Sequence, residues 1–257
     1  MANARNVNEL AQIRVGKVPF HTVTMERAVE LVVAAAEERR PVPVRLSNAY
    51  CVALASQEST YERTLSDTGL TFADGMPVVW AMRLRNPSGH VVSRVRGPSF
   101  FNEVIAKSRT ANLTNFLLGT TSETLAQLEV ELFNRYPGVR IAGSYAPPFS
   151  PLGEQFYEEC ASQIAAADPD IVWVALGTPK QDYLAAELAH RTGRPCVAVG
   201  AAFDFVAGSV REAPNWVQRS GFEWAYRFAS EPRRLWRRYV FGNLRFIYSV
   251  FVHSNGR

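Results

Sequence analysis

The 257-residue sequence predicts an α/β fold, a mostly parallel sheet covered by helices on both faces and followed by a basic, aromatic helical tail. Three observations carry this. Short apolar or β-branched runs alternate with segments of helical period, the pattern of a sheet built from strand–helix units. Those runs are apolar almost throughout rather than alternating, as in strands buried on both faces. The charge is also divided: from Arg219 to the end, eight arginines face two glutamates, a net +6, whereas the preceding 218 residues carry −2.

Taken in order, MERAVELVVAAAEERR (25–40) repeats apolar residues at helical spacing and leads to a first strand, VPVRL (42–46). A helical pattern over 49–65 follows, then a strand LTFA (70–73) and helices over 76–85 and 98–108. The runs NFLLG (115–119), VRIAGSY (139–145), IVWVALG (171–177) and CVAVGAAF (196–203) read as the remaining strands. Helices over 122–136, 154–167 and 181–191 separate them. The chain divides into an α/β core, 1–218, and a C-terminal appendage, 219–257.

Several function classes are disfavoured. Cys51, Cys160 and Cys196 are odd in number and far apart, which suggests buried thiols in a reducing cytosol rather than a disulfide framework or zinc site. The N-terminus has no apolar signal core, and no apolar run in the tail approaches the ~20 residues of a spanning helix. No GxGxxG follows the first strand, and no Walker motif or GxSxG elbow occurs. The four histidines are scattered without metal-ligand spacing. Asp168-Pro169-Asp170 has the DxD form that holds a metal on sugar nucleotides. It precedes its strand, however, and so belongs at the amino end of the sheet, as a helix stop and turn. No metal site is expected.

The carboxyl ends of the strands are more informative, because ligands of open parallel sheets bind beyond them. They run into Ser47-Asn48, Asp74-Gly75, Thr120-Thr121, Gly177-Thr178-Pro179-Lys180-Gln181 and Asp204. These polar groups can converge on one crevice beside helix N-termini that favour anions. Each of Asn48, Asp74 and Thr121 also suits a plain helix N-cap.

Four stretches go further in combination: ADGMPVVWAMRLR (73–85), RVRG (94–97), LGTPKQDYL (176–184) and FDFVAGSVREAPNWVQRSGFEWAYRFASEPRRLWRRY (203–239). From about Val15 to Tyr239 the chain resembles the WecG/TagA/CpsF family of bacterial glycosyltransferases. The resemblance implies a Rossmann-like domain with an appendage that meets the membrane. It implies an inverting, metal-independent transfer from a UDP-sugar to a polyprenyl-diphosphate-linked saccharide, for teichoic acid, common antigen or exopolysaccharide. Asp74 then stands at the position of the general base, a carboxylate that takes the acceptor hydroxyl's proton. Arg94 stands near the donor diphosphate, where a guanidinium suits the leaving group's charge. Gln181 and Asn48 match substrate-side positions, and Gly75, Thr120, Gly177, Lys180 and Asp204 complete the expected binding set. Leu46 replaces a family threonine and Asp182 replaces the commoner glutamate. Neither the transferred hexose nor the acceptor saccharide is named by these residues.

On a helical wheel of 233–251, Arg233, Arg234, Arg237, Arg238 and Arg245 share one side. Trp236, Tyr239, Val240, Phe246, Ile247 and Val250 occupy the other; Phe241, Leu244, Tyr248 and Phe251 spoil a clean division, so the amphipathicity is partial, and Gly242 is a potential break. Arginines among aromatics suit the interface of an anionic membrane, where a polyprenyl acceptor's diphosphate lies. Arg211, Arg227, Arg233, Arg234, Arg237 and Arg238 are the candidate contacts to that diphosphate or membrane. The expected location is peripheral, at the inner face of the cytoplasmic membrane. An apolar tail is also compatible with a homo-oligomer. Nucleic acid is disfavoured, since the body is slightly acidic and no binding module is visible. The rival reading is a non-catalytic nucleotide-binding α/β protein with a C-terminal interaction helix.

Overall fold

The first twelve described residues hold an element the strand pattern did not predict, an antiparallel hairpin of β1 (Gln12–Val15) and β2 (Val18–His21). Its signal is the two-residue turn Gly16-Lys17 between IRV and VPF, with Gly16 at φ 59. The computed structural model describes residues 10–221, 223–230 and 232–252, with the backbone alone described at Asn215, Arg219, Arg227, Arg234, Arg237, Arg238, Tyr239 and Val240.

Helix α1 (Met25–Glu37) starts at Thr24, whose hydroxyl accepts from the Arg27 amide at 3.1 Å. After β3 (Pro43–Ser47), the helix expected over 49–65 is two helices, α2 (Ala49–Ala55) and α3 (Ser59–Ser66). The break is local: the Ser56 hydroxyl donates back to the Ala53 carbonyl, and Glu58 is extended, which ends one ladder before the next begins. There follow β4 (Leu70–Ala73), α4 (Met76–Leu84), α5 (Gly97–Thr110), β5 (Thr114–Gly119), α6 (Ser122–Arg135), β6 (Arg140–Tyr145), α7 (Glu154–Ala167), β7 (Ile171–Ala175), α8 (Lys180–Thr192) and β8 (Cys196–Ala198). β7 and β8 stop short of the expected 177 and 203. Gly177 and Gly200 take positive φ there and turn the chain, and Ala202–Val206 is a helix, α9. Helices α10 (Asn215–Ser220), α11 (Glu223–Ser230) and α12 (Pro232–Val252) end the chain, and α12 runs unbroken through Gly242.

Six strands form one sheet in the order β4-β3-β8-β7-β5-β6, with every pairing parallel. Successive side chains serve opposite layers: Leu117 and Trp173 pack with α1, α5, α6 and α9, while Phe116, Leu118, Val172 and Val174 pack with α7 and α8. Trp173 is fully buried, meets Phe101 edge-on at 4.8 Å, and donates its indole N–H to Asn115 Oδ1 at 2.9 Å. A third apolar group joins the hairpin, α2 and α4 to Phe246 and Val250 of α12. The last helix therefore shares a core with the body.

Gly119, at the end of β5, has φ 127 and lies against the Ala175 backbone, so an added Cβ would collide with that strand. Gly119→Ala is expected to lower stability by about 3 kcal/mol or to prevent folding, read from the urea midpoint.

Candidate active site

The strand ends open onto a cleft of about 1210 Å³. Asn48, Asp74, Thr120, Gly177, Lys180, Gln181 and Asp204 all line it, so the structure brings together seven of the expected residues. A smaller cavity of about 100 Å³ adjoins it, lined by Gly75, Arg94, Arg96, Glu223, Trp224 and Asn243 among others. Asn48, Tyr50, Asp74, Pro98 and Phe205 line both, which puts the Asp74 carboxylate at the boundary between two spaces.

The backbone fixes Asp74 firmly. Its amide donates to the Ser47 carbonyl at 2.9 Å, and the Val95 amide donates to the Ala73 carbonyl at 2.9 Å. Segment 94–96 is thereby laid beside the end of β4. Gly97 then starts α5 in close quarters: a side chain there would lie 3.3 Å from the Val199 carbonyl and 3.9 Å from Asp74 Oδ2.

Cap and site readings coincide at Asn48, whose Oδ1 accepts from the Tyr50 amide at 3.0 Å while the residue lines both cavities. Thr121 caps α6. Gln181 is buried, and its Oε1 accepts from the Gly177 amide at 3.1 Å, bracing the loop after β7. Lys180 donates to the Ser150 carbonyl at 3.0 Å and stands 4.9 Å over the Phe149 ring. The Thr120 hydroxyl donates to Asp204 Oδ1 at 3.3 Å. Leu46 lines the larger cleft. Asp182 is buried behind it and accepts from the Tyr61 hydroxyl at 2.7 Å.

Arg94 lines the smaller cavity, not the larger one. It donates to the Gln218 carbonyl at 2.8 Å and pairs with Glu223. Pattern reading missed Arg96 and Glu223. Arg96 Nη2 lies 2.9 Å from Glu223 and 3.0 Å from Glu212. Burial works against the Arg96 charge, but Glu223, Glu212 and Asp74 outweigh it and raise the pKa. Burial likewise resists the Glu223 charge, and hydrogen bonds from Arg96 and Arg94 outweigh it, holding the carboxyl below its ordinary 4.5. Stability from this pair is therefore complete above pH 4.5 and is lost as the pH falls through the lower folded value. An acid titration followed by tryptophan emission should show a step there, Trp224 being a neighbour, and Glu223→Gln should abolish it. The sequence signal for Arg96 was the R-x-R spacing, which puts both side chains on one side of an extended segment.

The tail enters the site from the other end. Leu235, Phe241 and Arg245 of α12 line the larger cleft. Arg211 and Arg233 are exposed and line neither cavity. Arg227, Arg234, Arg237 and Arg238 lie on α11 and α12, but their side chains fall outside the described residues. On the wheel's apolar side, Phe246 and Val250 are buried as a core stripe should be, whereas Trp236 and Ile247 are exposed. The DxD lies at the amino end of the sheet: Asp168 pairs with Arg39 and Arg194, and Asp170 accepts from the Thr114 amide at 2.8 Å.

The family model for the glycosyl transferase WecG/TagA/CpsF family matches residues 13–257. The chain belongs to this family. It is 31% identical over 185 residues to the N-acetylglucosaminyldiphosphoundecaprenol N-acetyl-beta-D-mannosaminyltransferase of Bacillus subtilis (strain 168), covering 72% of this chain and 69% of the relative. The enzyme of the same name from Bacillus spizizenii matches to the same extent. In this WecG/TagA/CpsF glycosyltransferase the cleft lies at the carboxyl edge of the sheet, with one wall supplied by the last helix.

Proposed function

We propose that this glycosyltransferase moves a hexose or N-acetylhexosamine, N-acetylmannosamine being the first candidate, from a UDP-sugar to a polyprenyl-diphosphate-linked saccharide, with inversion and without a metal. The observation that carries the reading is Asp74 at the boundary of the two cavities. The larger holds the nucleotide sugar, with its diphosphate near Lys180 and the N-termini of α6 and α8. The smaller admits the acceptor's terminal hydroxyl. Asp74 takes the hydroxyl proton, the freed oxygen forms a bond to the anomeric carbon, and the carbon–oxygen bond to UDP breaks with its electron pair leaving on UDP. The acceptor's name comes from the relatives, which act on N-acetylglucosaminyldiphosphoundecaprenol by their printed names.

A membrane-bound acceptor requires a docking face. Among the described residues no helix is long and apolar enough to cross a membrane. The outer side of α12 nevertheless exposes Leu244, Ile247, Tyr248, Phe251 and Val252. Leu84 of α4, 86% exposed, continues this surface, since Arg85 donates to the Val250 carbonyl and ties the two helix ends together. We assign this face to the anionic membrane surface.

The test is transfer from a panel of UDP-sugars to an N-acetylglucosaminyl-diphosphate-polyprenol acceptor, in EDTA, with the product's anomeric configuration read by NMR. One donor turned over with inversion supports the reading. UDP binding without turnover of any donor favours a nucleotide-binding protein with an interaction helix. Dependence on added metal removes the metal-free mechanism.

A further inference from the structure

We infer that Glu223 is a positioning residue of the transfer reaction, holding Arg94 and Arg96 in the wall of the smaller cavity and offsetting their charge beside Asp74. The inference rests on Asp74 being the base. The two arginines come from the body, in the segment laid against the end of β4, and both carboxylates that answer them come from beyond α9. Glu223 accepts from Arg96 Nε at 3.1 Å and Arg96 Nη2 at 2.9 Å, and also pairs with Arg94. Glu212 also accepts from Arg96 Nη2 at 3.0 Å, and Arg96 Nη1 donates to the Ser99 hydroxyl at 3.4 Å. The four charges balance to zero, and the Glu223 side chain is only 12% exposed, so solvent screens little of this.

Among the described residues, the charged or titratable groups facing Asp74 are Tyr50 of α2, Arg94 and Arg96 before α5, and Glu223 of α11 around the smaller cavity. Glu123, Lys180, Asp204 and Arg245 lie across the larger cleft. Arg96 is close enough for Asp74 to support its charge. Without Glu223, one positive charge beside Asp74 goes unanswered. A carboxylate drawn to a guanidinium is a poorer base and is turned from the hydroxyl it must reach. The same carboxylate seats the start of α11 on the body, which couples the tail's position to the catalytic centre.

The experiment uses the full chain with UDP-sugar and a short-chain, water-soluble acceptor. Glu223→Gln keeps the shape and removes the charge. It should lower kcat between about tenfold and 100-fold, the cost of an ångström-scale misplacement, with the UDP-sugar KM unchanged within about twofold. The acidic limb of its kcat profile should move to lower pH, because the unanswered positive charge keeps Asp74 ionised further down. Glu223→Asp should recover part of both. An unmoved limb, with kcat falling only as the folded fraction falls, overturns the inference and leaves a structural ion pair. A raised UDP-sugar KM also overturns it, by placing the arginines on the donor. If Glu223→Gln does not fold, Arg94→Gln with Glu223→Gln keeps the charge balanced: its limb should sit at the wild-type pH, and a shifted limb overturns the inference. Asp74→Asn runs alongside, and full activity there shows that the assignment of the base has failed, and the inference with it.

Discussion

Asp74→Asn should lower kcat about 10³-fold while UDP affinity stays within about twofold, since a positioned general base contributes 10²–10⁴ and asparagine has the same shape but accepts no proton. The fold should tolerate the change. Asp74 is placed by its own amide's bond to Ser47 and by the Val95–Ala73 bond beside it, neither of which involves its side chain. Arg96 keeps Glu223 and Glu212 as counter-charges. Steady-state transfer and calorimetric UDP titration, run on one preparation, check this. Equal loss of turnover and UDP binding would move Asp74 from base to donor ligand. Unchanged turnover would remove it from the chemistry.

The residues legible beforehand are those whose placement follows from local geometry. Strands that run apolar throughout and end in Asn48, Asp74, Thr120 and Gly177 put those groups on one edge, because parallel strands all point the same way. The DxD could be placed for the same reason, since its position before a strand decides the end on which it lies. What escaped notice depends on contacts distant in sequence. Arg96 and Glu223 are 127 residues apart, and nothing in either neighbourhood encodes the other. The hairpin escaped although its four-residue strands match β4 in length, because an antiparallel pair joined by a tight turn stands outside the strand–helix alternation by which the other strands were found. On α12 the wheel mixed two apolar stripes. Leu235, Phe246 and Val250 face inward, whereas Leu244, Tyr248 and Phe251 face outward, and composition alone cannot say which stripe meets protein.

That separation decides how the tail should be tested. Removing the chain from residue 231 onward would strip Leu235, Phe246 and Val250 from the core along with the outer face, so lost activity would carry two explanations. Substituting the outer stripe alone avoids this. Leu244, Tyr248 and Phe251 are 64%, 62% and 71% exposed, so Leu244→Ser, Tyr248→Ser and Phe251→Ser together should leave the melting temperature nearly unchanged. Full burial of such side chains is worth about 1.5–3 kcal/mol each, and partial immersion of three gives roughly 3–4 kcal/mol. At ~1.4 kcal/mol per decade, partition onto anionic vesicles should fall between about 10²-fold and 10³-fold. Transfer to a vesicle-embedded acceptor should fall with it, whereas transfer to a short-chain, water-soluble acceptor should keep its kcat, because the cleft wall formed by Leu235, Phe241 and Arg245 is untouched. Equal losses on both acceptors would mean that the stripe supports the site itself. Unchanged vesicle binding, with a shift in sedimentation coefficient, would mean that it meets another copy of the chain.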